Sequence, residues 1–139
     1  NADDSLFVKS EYKIIKVKLD SLLFVQGLKD YVKFHLADNP KPILSLMSLK
    51  ALDGSLPPNR FMRVHRSFIV NLDKIETIQR NMIIFDKEHI PVADKYKDQF
   101  QEFIKSKFLE WVLKGTRSIF HTNLLLLKAV IDNLTFKLY

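Results

Sequence analysis

The chain has 139 residues, with 22 Lys or Arg against 16 Asp or Glu, so its formal net charge is +6. This length suits one domain, or one domain with an appendage. Because 47% of the residues are hydrophobic and only three are glycine, the chain can bury a core and does not have a disordered composition. The absence of cysteine excludes a disulfide scaffold, a thiol nucleophile and cysteine-ligated metal sites.

No segment has the length of a membrane span. The longest uninterrupted leucine run, 124–127, ends at Lys128, whereas a span needs about 20 apolar residues. The first residues also lack the basic and apolar regions of a signal peptide. We therefore expect a cytoplasmic protein without a membrane partner, and we interpret residues 1–5 as a linker or a processed end.

The first half of the chain has the patterns of β-strands. Apolar residues alternate with lysines over residues 15–19, which is typical of a strand with one wet face. The continuous apolar run 22–25 fits an inner strand. A turn over residues 27–30 leads to a further strand whose apolar positions share one face. The opposite, solvent-facing side is expected to carry a basic and aromatic stripe of Tyr31, Lys33 and His35.

Breaks and short elements follow. The two prolines of residues 39–42 predict a loop, and residues 43–46 can pair back as a strand. Residues 48–53 predict a short helix that is stopped by Gly54. Further along, two apolar runs flank Arg80-Asn81, which predicts a tight hairpin turn.

After Pro91 the apolar period changes from two to that of a helix. The spacing predicts a helix over residues 94–113 in which Asp94 can cap the first turn. A second helix is predicted over residues 118–134, and it is apolar on nearly all sides between 124 and 131. Such a surface should be covered by its own domain or by a partner.

Catalytic and metal-binding patterns are absent from the sequence. Consecutive histidines lie at least 24 residues apart, so no close pair resembles a zinc site. No glycine-rich loop precedes a helix, which excludes the common nucleotide-binding fingerprints. We therefore expect neither an enzyme nor a bound metal or cofactor.

A basic cluster within residues 61–71 suggests DNA contacts. Arg66 has the planar fork that reads guanine in the major groove, and His65 can donate to a base edge or a phosphate. Lys29 and Lys33 can neutralise phosphates. Other interpretations stay open. Arg63 and Arg66 can instead form ion pairs with Asp73 or Glu76, Tyr31 can be a core-edge aromatic, and His65 can be a buried structural histidine.

Three segments in this order, 24–35, 61–75 and 90–96, resemble the LytTR DNA-binding domain of bacterial response regulators. The resemblance covers about residues 6–107. It implies a mostly β domain of stacked small antiparallel sheets, with a short helix near 48–53 and one or two C-terminal helices, that inserts loops into the major groove. The positions that the resemblance implies to contact DNA are Lys29, Asp30, Tyr31, His65, Arg66 and Lys95. The basic residues Lys33 and Arg63 are added to the predicted site from their own chemistry.

The chain departs from the family pattern just before Lys95. Ala93-Asp94 stands where the family tends to have a serine and a basic residue, and an acidic side chain there would repel phosphate. Lys95 is therefore the least secure of these positions.

The resemblance also implies partners. They are double-stranded DNA, a second copy of the chain on DNA, and a receiver domain elsewhere in the full-length response regulator. Residues 108–139 are interpreted as a helical extension of unknown role. An alternative function is a protein-interaction module that acts through the apolar helix 118–134, and salt dependence would distinguish it from DNA binding.

Overall fold

Antiparallel β-strands dominate residues 4–115, the part of the chain that the computed structural model describes. Single 3-10 turns at Leu19–Ser21 and Leu72–Lys74 interrupt the strands. The helices are α1 (Leu49–Asp53) and α2 (Asp94–Gly115). The strands are β1 (Ser5–Ser10), β2 (Lys13–Lys18), β3 (Leu22–Gly27), β4 (Val32–Leu36), β5 (Asn39–Ser45), β6 (Phe61–His65), β7 (Phe68–Asn71), β8 (Thr77–Gln79), β9 (Met82–Phe85) and β10 (Glu88–Pro91).

The strands form three antiparallel sheets. A central five-stranded sheet has the order β5-β4-β3-β7-β6, a hairpin pairs β1 with β2, and a third sheet has the order β10-β9-β8. The predicted mostly β architecture of small antiparallel sheets is thus confirmed.

Each face of the central sheet is covered by its own hydrophobic core. In β3, Val25 belongs to the first core and Phe24 to the second. The first core is completed by β1, β2 and α1, and the second by the third sheet and α2. A strand buried on both faces carries a continuous apolar run. This confirms the prediction that residues 22–25 form an inner strand.

The short helix α1 forms where the sequence predicts it. The Ser48 hydroxyl oxygen accepts a hydrogen bond from the Ala51 amide at 3.1 Å, and Gly54 follows the last helical residue. Its Leu49 packs closely on the end of β3. A Cβ placed on Gly27 would lie 3.2 Å from the Cβ of Leu49, so the absence of a side chain allows this approach.

The helix α2 starts at the predicted residue and extends two residues beyond the predicted end, without a break at residue 107. Its first residue, Asp94, accepts a hydrogen bond from the Lys97 ammonium at 3.3 Å. The predicted helix 118–134, like most of the proposed linker and of the C-terminal extension, lies outside the described residues.

The predicted hairpin turn at Arg80-Asn81 is confirmed between β8 and β9. Both residues have positive φ angles, 51° and 64°, as a two-residue turn with the twist of the strands requires.

The loop predicted for residues 39–42 is wrong, because these residues belong to β5. The chain turns earlier, at Ala37 and Asp38. Since β5 is an edge strand of the central sheet, Pro40 and Pro42 are tolerated there although they cannot donate ladder hydrogen bonds.

The predicted solvent-facing stripe on β4 is wrong for His35, which is half-buried and stacks its ring on Phe24 with centroids 4.2 Å apart. Lys33, two residues earlier in the strand, is also half-buried. Burial lowers the pKa of His35 from its ordinary value of 6.5; nearby Lys33 lowers it further, while Glu88 opposes the shift. Tyr31 lies before the strand begins.

Asn71 is fully buried and connects three segments of the chain. Its side-chain amide donates to the Leu19 carbonyl at 3.2 Å and to the Leu22 carbonyl at 2.7 Å. Its side-chain oxygen accepts from the Asp73 amide at 3.1 Å. One side chain therefore joins the end of β7 to the chain on both sides of Ser21 and to the following 3-10 turn.

Replacing Asn71 by alanine should strongly destabilise the fold, because the Leu19 and Leu22 carbonyls and the Asp73 amide each lose one hydrogen bond. We expect the free energy of unfolding to fall by roughly 2–4 kcal/mol. Urea denaturation measures it, with the exposed Asn59→Ala as the matched control. A loss no larger than that of the control would contradict this role of Asn71.

Acidification should destabilise the domain through His35. Since the folded pKa lies below 6.5, the unfolded chain takes up a proton at a higher pH than the folded chain does. The free energy of unfolding should therefore decrease as the pH falls below about 6.5. His35→Phe should flatten this part of the stability profile, whereas His89→Gln at an exposed position should not. Parallel profiles for His35→Phe and the parent protein would contradict the assignment.

Candidate nucleic-acid interface

Two connections meet at one end of the central sheet. Because β3 and β7 are antiparallel neighbours, the end of β3 lies beside the beginning of β7, with Gln26 paired to Phe68. The Gly27 amide donates to the Ser67 carbonyl at 2.7 Å. The β3–β4 loop is thus attached to the β6–β7 turn.

The start of α2 is attached to the same region. The Ala93 amide donates to the Val64 carbonyl at 2.9 Å, one residue before the end of β6. The structure therefore brings together the three segments that the resemblance implies to contact DNA. We call this surface the loop end of the sheet: the β3–β4 loop (28–31), the β6–β7 turn (66–67) and the first turn of α2.

The β6–β7 turn is held by its own side chains. The Arg63 guanidinium donates to the His65 carbonyl at 3.3 Å and also to the Arg66 carbonyl. His65 Nδ1 accepts a hydrogen bond from the Ser67 amide at 3.0 Å. Arg66 is exposed, and its guanidinium has no ion-pair partner among residues 4–115. These hydrogen bonds hold the backbone of the turn in place, and the side chain of Arg66 extends from it into solvent.

His65 is partly buried, and its ring lies 5.6 Å from that of Phe68. Burial lowers its pKa below 6.5, and the neighbouring charges of Arg66 and Arg63 lower it further. The neutral ring is therefore favoured near pH 7. Since Nδ1 already accepts a hydrogen bond, the proton resides on Nε2, and His65 can offer one uncharged donor.

The β3–β4 loop is closed by a hydrogen bond from the Leu28 amide to the Tyr31 carbonyl at 2.8 Å. Lys29 and Asp30 are exposed at its tip, whereas Lys33 is half-buried on β4, opposite Gln26. Tyr31 is half-buried and lines a groove between the β1–β2 hairpin and β5. Lys29 and Asp30 are therefore the most exposed side chains that the β3–β4 loop contributes to the loop end.

Lys95 is exposed in the first turn of α2, with its ammonium 5.6 Å from the centre of the Tyr96 ring. The neighbouring Asp94 carboxylate contacts the Lys97 ammonium at 3.3 Å. This ion pair reduces the repulsion that Asp94 would exert on a phosphate.

The carboxylate of Asp73 pairs with a different arginine from those considered in the sequence. Arg60 lies 3.6 Å from Asp73 and 3.8 Å from Asp4, and only 8% of this arginine is exposed. Arg63 instead contacts backbone carbonyls. In the sequence, Arg63 and Arg66 lie in the same basic cluster and look alike. The structure distinguishes them, because Arg63 holds the turn and Arg66 is exposed.

Sequence reasoning did not single out Gln26 and Ser67, although both lie at the loop end. Ser67 stands inside the basic cluster, so its position was available as a signal. Gln26 acquires its place through the pairing of β3 with β7, which no local pattern reveals.

Within residues 4–115, no group of three or more His, Asp or Glu side chains is arranged to hold a metal ion. No helix in that range is long and apolar enough to cross a membrane.

Known proteins share sequence and fold with this chain. The family model of the LytTr DNA-binding domain matches residues 12–105. The chain is 30% identical over 101 residues to a sensory transduction protein LytT of Bacillus cereus, covering 68% of this chain and 40% of that protein. It is also 30% identical over 93 residues to an uncharacterized response regulatory protein of Vibrio cholerae, covering 61% and 35%.

A solved structure shares the fold. It is the LytTr DNA-binding domain of a putative methyl-accepting/DNA response regulator from Bacillus cereus, with a TM-score of 0.61 and 23% identity. The match covers 70% of this chain and 94% of that one. The chain spans less than half the length of the LytT protein of Bacillus cereus and of the response regulatory protein of Vibrio cholerae. Because the family model covers most of the chain, the protein belongs to the LytTr DNA-binding domain family.

Proposed function

We propose that this domain binds double-stranded DNA sequence-specifically, as the output domain of a two-component transcriptional response regulator. The observation that carries the proposal is the loop end of the sheet. Two backbone hydrogen bonds, from Gly27 to Ser67 and from Ala93 to Val64, join three segments that expose Lys29, Arg66 and Lys95. Clustered cations on turns suit a surface that enters a groove between phosphates.

Each side chain has a role that its chemistry and exposure support. Arg66 reads a guanine through its bidentate fork, and His65 donates one hydrogen bond through Nε2. Lys29 and Lys95 bind phosphates, and Asp30 can accept from a cytosine amino group. Arg63 acts through the turn that it braces.

Two further positions, Lys33 and Tyr31, lie in or beside the β3–β4 loop and have different roles. Lys33 contacts phosphate from its half-buried position on β4. Tyr31 borders the loop from the side of the groove next to β5. Together with the roles above, these assignments make the domain a reader of DNA without catalysis.

The wider setting belongs to the same proposal. The full-length protein carries a receiver domain, acts in the cytoplasm and binds DNA as a homodimer. Its relatives are named a sensory transduction protein and a response regulatory protein, which supports this setting. The alternative of a protein-interaction module that acts through helix 118–134 has no support from residues 4–115.

The experiment that tests the proposal is selection of duplexes by the protein from a pool of random double-stranded oligonucleotides. We expect one sequence to be enriched and bound more tightly than a shuffled duplex of equal length. Affinity for both duplexes should fall steeply with added salt. No enrichment together with salt-independent binding would refute the proposal.

Replacing Arg66 by alanine should reduce specificity more than general affinity. A bidentate contact with a base accounts for roughly 1–3 kcal/mol of discrimination, or about a five- to 160-fold preference. Fluorescence anisotropy with the selected and shuffled duplexes measures the ratio of the two dissociation constants. Lys87→Ala, at the exposed β9–β10 turn, is the matched control. A folded Arg66→Ala protein that keeps the preference of the parent would contradict the role of Arg66.

Replacing Lys29 or Lys33 by alanine should weaken binding to the two duplexes about equally. Each loss of a phosphate contact should reduce the slope of log affinity against log salt concentration by about one unit. The same anisotropy titrations, repeated between 50 and 200 mM salt (about the range in which phosphate contacts dominate), measure this slope. If the loss were confined to one base pair of the selected site, these lysines would be base readers instead.

A further inference from the structure

A fourth connection, the two-residue turn between β8 and β9, carries an arginine in an unfavourable backbone conformation. Arg80 has a φ angle of 51°, in the left-handed region that Asn, Asp and Gly occupy more readily. Its partner in the turn, Asn81, is a residue of the favoured kind. The fold alone would favour a different side chain at position 80, so the arginine has no evident structural reason.

The side chain of Arg80 also makes no compensating contact within the described residues. It is exposed, and among residues 4–115 no carboxylate pairs with it. When a residue occupies an unfavourable backbone conformation and no contact of its side chain compensates, a function at that position is indicated.

The turn is fixed to the loop end of the sheet by hydrogen bonds. The Val92 amide donates to the Asn81 carbonyl at 3.1 Å, and the Asn81 side-chain amide donates to the Val92 carbonyl at 3.0 Å. The next residue, Ala93, donates to Val64 of β6. Arg80 is thus held beside the segment that leads into Lys95.

The pairing of the third sheet gives the same placement. Met82, directly after the turn, pairs with Pro91, so the β8–β9 turn and the end of β10 lie at the same end of that sheet. The β9–β10 turn with Lys87 lies at the opposite end. One sheet therefore places one exposed cation near the loop end and another far from it.

We propose that Arg80 is a further DNA contact, carried by a fourth connection of this domain, and binds a backbone phosphate next to the site that Arg66 reads. The inference rests on the proposed function and deepens it. A guanidinium on a rigid turn matches the oxygens of a phosphate bidentately. Its position beside the segment that leads into Lys95, away from the braced β6–β7 turn, favours a contact with the backbone rather than with a base.

The variant that tests the inference is Arg80→Asn, which removes the charge and places a favoured residue at a positive φ angle. It should fold at least as stably as the parent protein. We expect binding to the selected and the shuffled duplex to weaken about equally, by roughly five- to tenfold at about 100 mM salt, with the salt slope smaller by about one unit. Arg80→Lys should retain most of the slope, and Lys87→Asn should leave affinity and slope unchanged.

The outcomes separate this inference from the proposed function. If Arg66→Ala loses specificity while Arg80→Asn binds like the parent, Arg80 is no contact and the DNA-binding proposal stands. A loss confined to one base pair would overturn the assignment to phosphate. If the parent shows no salt-dependent DNA binding at all, both proposals are overturned.

Discussion

The buried amide of Asn71 is the interaction on which the geometry of this domain depends. It donates to carbonyls on both sides of Ser21 and accepts from the 3-10 turn that follows β7. These bonds fix where β7 lies along β3. Since side chains alternate between faces, a slip by one residue would exchange the two cores. The same register sets Ser67 beside Gly27 at the other end of the strands, so a buried polar group determines where the exposed loops meet.

The two cores leave the ends of the central sheet as the surface available for recognition. The faces are covered by the β1–β2 hairpin with α1 on one side and by the third sheet with α2 on the other. In the proposed function, the side chains that contact DNA therefore come mainly from connections between strands. The connections at the loop end are short and bonded to one another, so they need little ordering when DNA binds. In the proposed function, these rigid turns take the place of the recognition helix that other DNA-binding proteins use.

Local patterns in the sequence predict those elements whose determinants are close in the chain. The Arg80-Asn81 turn, the short helix α1 with its stop at Gly54, and the start of α2 all depend on neighbouring residues. Family resemblance adds the candidate site, because its motifs occur in a fixed order.

Features that depend on distant pairing were not predictable in this way. His35 appeared solvent-facing because alternation in β4 cannot tell whether a second sheet covers the polar positions. Residues 39–42 read as a loop because prolines are rare in sheets, yet an edge position tolerates them. Arg60 and Arg63 are three residues apart and chemically identical. Only the tertiary contacts make one a buried ion-pair partner and the other a brace for the turn.

The two prolines of β5 limit aggregation between copies of this domain at high local concentration. An unpaired edge strand offers its amides to any extended segment of another molecule, and such strand addition is a route to aggregation. Pro40 and Pro42 have no amide hydrogen to offer, so part of the β5 edge cannot extend the sheet. Molecules crowded along one stretch of DNA can then lie side by side without joining their sheets into a continuous one.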